Sequence, residues 1–456
     1  MLSSGCTLGP EFVRPEVELS EKFQEPTTSV EDIVNLKWWN LYTDTELQEL
    51  IRLALAQNKD LQVALSTIAE ARALLGFTRA DQFPRVDVSG DVSRTDPSDE
   101  ITLPGRPENN FGLFGDLFFE VDLWGKLRRA TEAQRAELLS SEYAYRAIMI
   151  SLVADVATTY FTILDLDSRF EIARRTVENR KGATGLIRTR FQGGIVPEID
   201  VNQAQIEEAD ALAQMANIER ERRQAENALS VLLGRTPISI PRGTALTKQV
   251  IKGELPTGYP ASLLERRPDV IAAEEAARAE TARIGVAEAQ RFPSLALLGF
   301  IGLQSNESSE FFSGDAFTWN IGGNVLSPLI DFGKNRSRVE FTEARAEQFV
   351  RNYEQTVLRA VQEVEDALVS VRTYRQEHEA RVMQRGAAQN AARLSRARYD
   401  DGVAPYLEVL DSERSLFDAE LAESITLQRY VNSIVQLYKS LGGGWSDAPA
   451  VTTNGS

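Results

Sequence analysis

The chain is poor in the residues that carry most enzymatic chemistry. Among 456 residues there is one cysteine, Cys6, and one histidine, His378. A single cysteine permits no intramolecular disulfide and no cysteine-built zinc site, and the two counts together remove most thiol-protease and metal-hydrolase readings. Neither a Walker A loop nor a Rossmann glycine pattern occurs. Positive charge is in deficit: 50 Lys and Arg stand against 67 Asp and Glu, a formal net charge of -17. Such a chain repels a phosphate backbone, so nucleic acid is not an expected partner. Long apolar runs are missing too. The nearest, Ala147 to Leu164, is interrupted by Ser151 and Asp155 and reads as a packed helix. Membrane strands remain possible, because they alternate and give a far weaker signal.

What the chain does have is a long internal repeat. Asp60, Gly76, Phe83, Pro84 and Gly90 match Asp269, Gly285, Phe292, Pro293 and Gly299, each pair 209 residues apart. Trp124-Gly125-Lys126 faces Phe332-Gly333-Lys334, 208 apart, and Arg190, Gly194, Pro197 and Gly234 face Arg398, Gly402, Pro405 and Gly442 at the same spacing. The chain is therefore two tandem copies of one unit, 44–234 and 262–442. Residues 1–43 precede them, 235–261 connect them and 443–456 follow.

Each unit opens with a helix ending at Phe-Pro, Asp44 to Phe83 and Ser262 to Phe292, since the residue before proline disfavours helix. Thr43-x-x-Glu46 and Ser262-x-x-Glu265 fit a capping box. Two alternating segments follow in each copy, 85–95 with 110–123 and 293–304 with 316–327. Their period of two predicts strands with one apolar and one more polar face. At roughly 3.3 Å per residue, ten residues reach across a tilted bilayer crossing. The linkers Asp96 to Asn109 and Ser305 to Asp315 are rich in Pro, Gly, Asp, Glu and Ser, as exposed loops are. Then come stretches without Gly or Pro, Lys126 to Lys181 and Lys334 to Arg385, which predict helices of roughly 80 Å. After a Gly-x-x-Pro turn each unit closes with a further helix, Glu198 to Leu233 and Tyr406 to Leu441.

Four strands cannot close a membrane barrel, and an open edge in lipid leaves backbone amides unpaired at several kcal/mol each. Either the strands are not in a membrane or several chains share a barrel; two chains give eight strands and three give twelve. The last helix carries two heptad seams, one through Leu407, Leu410, Arg414, Phe417 and Leu421, the other through Val409, Ser412, Leu416, Ala419 and Glu423. A two-stranded coiled coil needs one seam. Two suit a helix with a neighbour on each side, as in the wall of a cylinder, or one buried in a bundle. Asp165 and Asp167 carry no ligand spacing and read as surface.

The sequence as a whole resembles the outer-membrane factors of tripartite efflux pumps, the TolC and OprM type. The resemblance rests on Gly5-Cys6 followed by Gly-Pro-Glu-Phe-x-x-Pro, Trp38-Trp39, Asn58-x-Asp60-Leu61 and Arg267-Pro268-Asp269-Val270 leading to Phe292-Pro293. It continues in Tyr406-Leu407-x-Val409-Leu410-Asp411-x-x-Arg414-Ser415-Leu416 and Leu441-Gly442-Gly443-Gly444-Trp445. The lipoprotein start and Gly-Gly-Gly-Trp end are closer to the OprM branch. The resemblance implies a mainly α fold with a small β part: a homotrimer whose strands make a twelve-stranded outer-membrane β-barrel in a Gram-negative bacterium, continued by an α-helical barrel through the periplasm. It implies a passive exit duct for small molecules such as drugs, not an enzyme and without cofactor, served by a periplasmic adaptor (membrane fusion protein) and an inner-membrane pump of the resistance-nodulation-division type. Residues 7–43, 235–260 and the C-terminal tail would belt the tube. Leu407 and Asp411 would form the apolar and acidic rings of a periplasmic gate, with Arg414 pairing nearby; without the resemblance, Asp411 and Arg414 are an exposed i,i+3 pair. The turns containing Gly193, Gly194, Val196 and Pro197, and Gly402, Val403 and Pro405, would dock the adaptor. Cys6 would carry lipid, although Leu2 stands one place further from it than a lipobox leucine and no apolar stretch precedes it; an unmodified cysteine is the alternative. Trp319 would sit at the lipid interface. The outlet of a type I protein secretion system, a copper or silver outlet, and a pore-less coiled-coil scaffold are rival readings; four Met and one His give little for a metal relay.

Overall fold

The computed structural model describes residues 7–24, 39, 42–96, 107–249 and 263–443. Cys6, Trp38, Ser262, Trp445, and parts of the connecting and terminal segments lie outside the described residues. In chain order the elements are α1 (Thr45–Gln57), α2 (Lys59–Ala80), β1 (Arg85–Thr95), β2 (Glu108–Val121), α3 (Lys126–Gln192), α4 (Glu198–Leu232), α5 (Leu263–Arg266), α6 (Pro268–Ala289), β3 (Ser294–Ser305), β4 (Phe317–Leu326), α7 (Lys334–Asp400) and α8 (Tyr406–Ser440). They fall into two compact units, each drawing on both repeats: one of Met1–Val17, Ser66–Tyr143 and Ala272–Gln355, the other of Glu18–Leu65, Ala144–Ile271 and Thr356–Ser456.

The first unit holds the sheet, an antiparallel meander in the order β1-β2-β3-β4. Its register collects the apolar side chains on one face. Val86 pairs with Leu117 and Val88 with Gly115; Leu113 pairs with Leu303, Gly115 with Ile301 and Phe119 with Leu297; Ile301 pairs with Trp319, Leu303 with Phe317 and Leu295 with Val325. The other face carries polar side chains. The Ser89 hydroxyl donates to Asp116 at 2.6 Å, Asn110 to Asp91 at 2.7 Å and Gln304 to Asn110 at 2.9 Å. Phe114 and Phe300 pack edge to face among them. A one-residue slip would exchange the two faces of a strand, so this separation pins the register. Trp319 stands on the apolar face, 65% exposed. Among the described residues, β1 and β4 each pair on one side only.

Residues 7–14 lie along the start of α3 and beside α6. Leu8 N–H donates to the Trp124 carbonyl at 3.1 Å, Arg129 reaches the carbonyls of Leu8 and Gly9, and Arg14 pairs with Glu274 at 2.7 Å.

The helices correct the sequence reading in several places. The opening helix of each repeat is broken, and at equivalent positions. Asn58 is extended, its side-chain oxygen accepts from Leu61 N–H at 3.0 Å to start α2, and its amide donates to the Leu232 carbonyl. In the second copy Pro268 begins α6 and breaks the helix before it, because proline offers no amide and restricts the residue ahead of it. Arg267, the counterpart of Asn58, donates to the Ser440 carbonyl at 3.1 Å. The cap of α1 is Asp44, not Thr43: its Oδ1 accepts from the Glu46 and Leu47 amides, while Oδ2 accepts from Tyr160, Thr244 and Gln249. The long helices run past Gly182 and Gly185 in α3 and past Gly386 in α7, so each reaches 67 residues, about 100 Å at 1.5 Å per residue.

The apolar stretch of α3 is long and apolar enough, by length and composition alone, to cross a membrane. Its Val153, Ala154, Val156, Ala157, Tyr160 and Phe161 are buried within the chain, and Phe161 packs on Tyr42. Asp165 is buried rather than superficial, bonded to Arg169 at 2.9 Å and Ser424 at 2.6 Å, and burial raises its pKa. Asp167 pairs with Arg242 at 2.6 Å.

Candidate functional site

The second unit contains two helical hairpins, α3–α4 and α7–α8, closed by matching turns. Gly194 and Gly402 hold φ of +72° and +74°, a region only glycine enters at no cost. The N–H of Ile195 returns to Arg190 O and that of Val403 to Arg398 O, both at 2.9 Å, which satisfies the last carbonyls of α3 and α7. Pro197 and Pro405 stand at the N-caps of α4 and α8. Gly193, Gly194, Pro197, Gly402, Val403 and Pro405 are exposed; Val196 is half-buried and packs inward.

Behind the turns, Ile187 of α3, Val201 and Ala204 of α4, and Tyr406, Val409 and Leu410 of α8 form one apolar cluster. Burial pushes the Tyr406 hydroxyl up to about 12, so it stays protonated at any physiological pH. Both seams of α8 are occupied. On one side Ser424 and Gln428 bond to Asp165 and Thr162 of α3. On the other, Ser412 shares a hydrogen bond with Ser395, Glu413 pairs with Arg396 at 3.4 Å, and Glu423 with Arg385 at 2.7 Å, all on α7. A helix with a neighbour on each side is the arrangement of a wall.

Leu407 and Asp411 point away from this cluster, one turn apart, Leu407 51% and the Asp411 side chain 66% exposed. Arg414 lies 3.8 Å from Asp411, but its main partner is Glu207 of α4, which receives a hydrogen bond from it. That bond is the largest cause of the raised Arg414 pKa. Glu207 is buried, and its second oxygen pairs at 3.2 Å with Arg180 of α3, itself buried, whose guanidinium also donates to the Glu207 carbonyl at 2.7 Å and lies over Phe417. The chain Arg180–Glu207–Arg414 thus ties α3, α4 and α8 together. Sequence reasoning paired Arg414 with its own helix and missed Glu207. The signal was there: Glu207 interrupts the small apolar stripe Val201, Ala204, Ala211, and a carboxylate on a packed stripe needs a cation. No group of acidic, His or Cys residues able to hold a metal occurs among the described residues.

A sheet apolar over one face and polar over the other, unpaired at both edges among the described residues and running into 67-residue helices, defines a class: a subunit of a membrane channel whose barrel one chain cannot close. The comparisons name it. The model of the outer membrane efflux protein family matches residues 50–235 and 259–443. The chain is 32% identical to outer membrane protein OprJ of Pseudomonas aeruginosa over 98% of its own length and 95% of that protein's. It is 31% identical to cation efflux system protein CusC of Escherichia coli, over 97% and 96%. The open-state structure of the Neisseria gonorrhoeae MtrE outer membrane channel superposes with a TM-score of 0.87 at 30% identity, over 96% of this chain and 98% of that one. The chain belongs to the outer membrane efflux protein family, and it is an outer-membrane efflux channel.

Proposed function

We propose that three copies of this chain form the passive exit duct of a tripartite pump, gated where α8 begins. The observation that carries the gate is the placement of Leu407 and Asp411, both solvent-facing on successive turns of a helix fixed by the Arg180–Glu207–Arg414 chain. Three copies about one axis stack three leucines below three carboxylates. Close carboxylates repel, which favours uptake of protons or cations, and an acidic ring selects for cations. Arg414, held by Glu207, supplies the opposing charge and keeps α8 against α4.

The polar face of the sheet then lines the lumen and the apolar face meets lipid. The turns at 193–197 and 401–405, exposed at the ends of both hairpins, meet a periplasmic adaptor, and a resistance-nodulation-division pump chooses the cargo, small molecules such as drugs. Cys6 carries the lipid anchor. Thr7 is seated against Gly125, at the junction of β2 and α3, which would bring a lipidated neighbour to the membrane edge of the barrel.

Single-channel recording in a planar bilayer tests the gate. The wild type should give small cation-selective currents, and Asp411→Ala should open several-fold more often with weaker cation preference. A conducting wild type with an unchanged variant moves the gate elsewhere. Inserted trimers that pass no current in either form would sink the duct itself.

A further inference from the structure

The polar face of the sheet carries an apolar patch at its centre, although a barrel face that lines water is ordinarily polar. On this face Phe114, Asp116 and Phe118 follow one another along β2, with Gly302, Phe300 and Leu298 paired to them in that order on β3. The rings are therefore neighbours. Phe118 and Leu298 are 43% and 39% exposed. Phe114 lies down over two glycines: a Cβ on Gly112 would stand 2.6 Å from its ring, and one on Gly302 2.7 Å. Phe300 meets it edge to face with the centroids 5.4 Å apart. The outcome is a flat apolar platform fixed by its own packing.

Asp116 stands in the middle of these rings. Along its own strand it has Phe114 on one side and Phe118 on the other; across the ladder it faces Phe300 of β3 and Asp87 of β1. Carboxylates directly opposite each other destabilise a ladder. Arg85 pairs with Asp87 at 2.8 Å, whereas Asp116 accepts from the neutral Ser89 hydroxyl at 2.6 Å and pairs with no cation among the described residues. Asp91, further along β1, accepts from neutral groups too, Asn110 at 2.7 Å and Ser93 at 3.4 Å. The face thus sets exposed rings around a carboxylate that lacks a counter-charge. Aromatic faces and a carboxylate both attract a cation, and the rings attract apolar surface as well. A simple inorganic ion or a neutral hydrocarbon uses only part of this; a molecule with both features uses all of it.

We infer that this patch is a transit subsite for amphipathic organic cations, molecules that carry an ammonium group beside an apolar ring. The ammonium group meets Asp116, and the apolar part lies on Phe118, Leu298 and Phe300. The inference rests on the duct proposed above, which turns this face to the lumen, and it adds a cargo class to that duct. The patch belongs to the first compact unit, whereas Leu407 and Asp411 belong to the second, so it acts on cargo independently of the gate. Two adjacent strands of one chain build it, and each copy carries its own. An open, one-sided contact of this kind is weak, which suits a conduit, since a permeating molecule must leave as well as enter.

Saturation-transfer NMR on the full chain in phospholipid nanodiscs reads the site, with benzyltrimethylammonium as the probe. The wild type should bind it saturably and about five-fold more tightly than benzyl alcohol, which keeps the ring without the charge, or tetramethylammonium, which keeps the charge without the ring. Asp116→Asn keeps the side chain's shape and an oxygen for the Ser89 hydroxyl. It should weaken binding of the probe about five-fold and leave benzyl alcohol unchanged. Phe118→Leu keeps the apolar bulk and should weaken the probe about three-fold. Both variants should melt with the wild type; a lowered melting temperature with unchanged affinity would make the patch structural and overturn the subsite. So would a wild type without saturable binding, or an Asp116→Asn affinity equal to the wild type's. An unchanged Phe118→Leu affinity removes the rings from the site. Single-channel recording separates this reading from the duct. Chains that conduct without binding the probe overturn the subsite alone, while inserted chains that bind the probe and pass no current overturn the duct and, with it, transit across the patch.

Discussion

The two repeats share a frame and differ in what they hang on it. At the break of each opening helix the match is close. Asn58 and Arg267 each donate to a carbonyl near the end of the closing helix, Leu232 and Ser440. Gly234 and Gly442 follow those helices at φ of +71° and +70°, packed against Gln57 and Arg266. At the turn ends the backbone still matches, but the side chains do not. Ile199, Gln203 and Ile206 of α4 stand where α8 has Leu407, Asp411 and Arg414, and Glu207 stands opposite Ser415. Duplication supplied the scaffold, and different charges on the two copies, Arg180 and Glu207 on the first and Asp411 and Arg414 on the second, made a local site from it. Breaking the frame and breaking the charges should therefore have different signatures.

The largest effect should come from the frame. A Cβ on Gly234 would lie 2.2 Å from the Gln57 carbonyl oxygen, backbone that cannot step aside, in addition to the strain of positive φ. Gly194 has the same φ but open space around it. Gly234→Ala should lose more than about 3 kcal/mol and fold poorly, whereas Gly194→Ala should lose about 1 kcal/mol, the conformational cost alone. Thermal melting of both decides; equal losses would mean that contact with the helix break does not dictate the glycine.

Next come the charges. Glu207→Gln leaves the buried Arg180 only the exposed carboxylate of Asp210, at 3.6 Å, a change worth up to about 3 kcal/mol at a buried pair, while Arg414→Ile gives α8 the residue of the first repeat and removes only the half-exposed partner. Glu207→Gln should destabilise more, yet both should raise channel opening. In the double variant the effects on opening should fall short of additive, because the two residues share one interaction. Additive effects in single-channel recordings would separate Arg414 from Glu207 and place its role elsewhere.

Where the sequence was legible, a local rule governed the outcome. Period-two alternation placed all four strands within two residues, and Gly-x-x-Pro located both turns. Where it was not, the deciding partner lay far along the chain. The cap moved from Thr43 to Asp44 because Tyr160, Thr244 and Gln249 converge on that carboxylate. Asp165 reads as surface until Ser424, 259 residues away, is brought to it. The break at Arg267-Pro268 was missed, the expected helix running through it, although the proline was the local signal for it; the one at Asn58 depends on the Leu232 carbonyl as well as on a side-chain cap. The proposed gate residues share this division: helical spacing puts Leu407, Asp411 and Arg414 close together, while Glu207 enters only through tertiary packing.

The smallest expected effect tests whether the extra charges of the second repeat carry a cost. Glu413 of α8 is a glutamine, Gln205, in the first repeat. Burial is the main influence on it and raises its pKa; Arg396 and Arg180 oppose this, and Glu207 adds to it. A carboxyl whose folded pKa is raised holds its proton longer in the folded state than in the unfolded one. Its contribution to stability is thus complete below the ordinary carboxylate range and is lost as pH climbs through the raised value. Glu413→Gln removes that loss, so it should flatten the stability profile between the carboxylate range and neutrality. The gain at pH 7 should be under about 1 kcal/mol, since the side chain remains a third exposed and solvent screens it. Denaturant titrations across that pH range measure the difference. A variant less stable than the parent at neutral pH would mean that the 3.4 Å pair with Arg396 outweighs burial, and that this charge of the second repeat strengthens the fold.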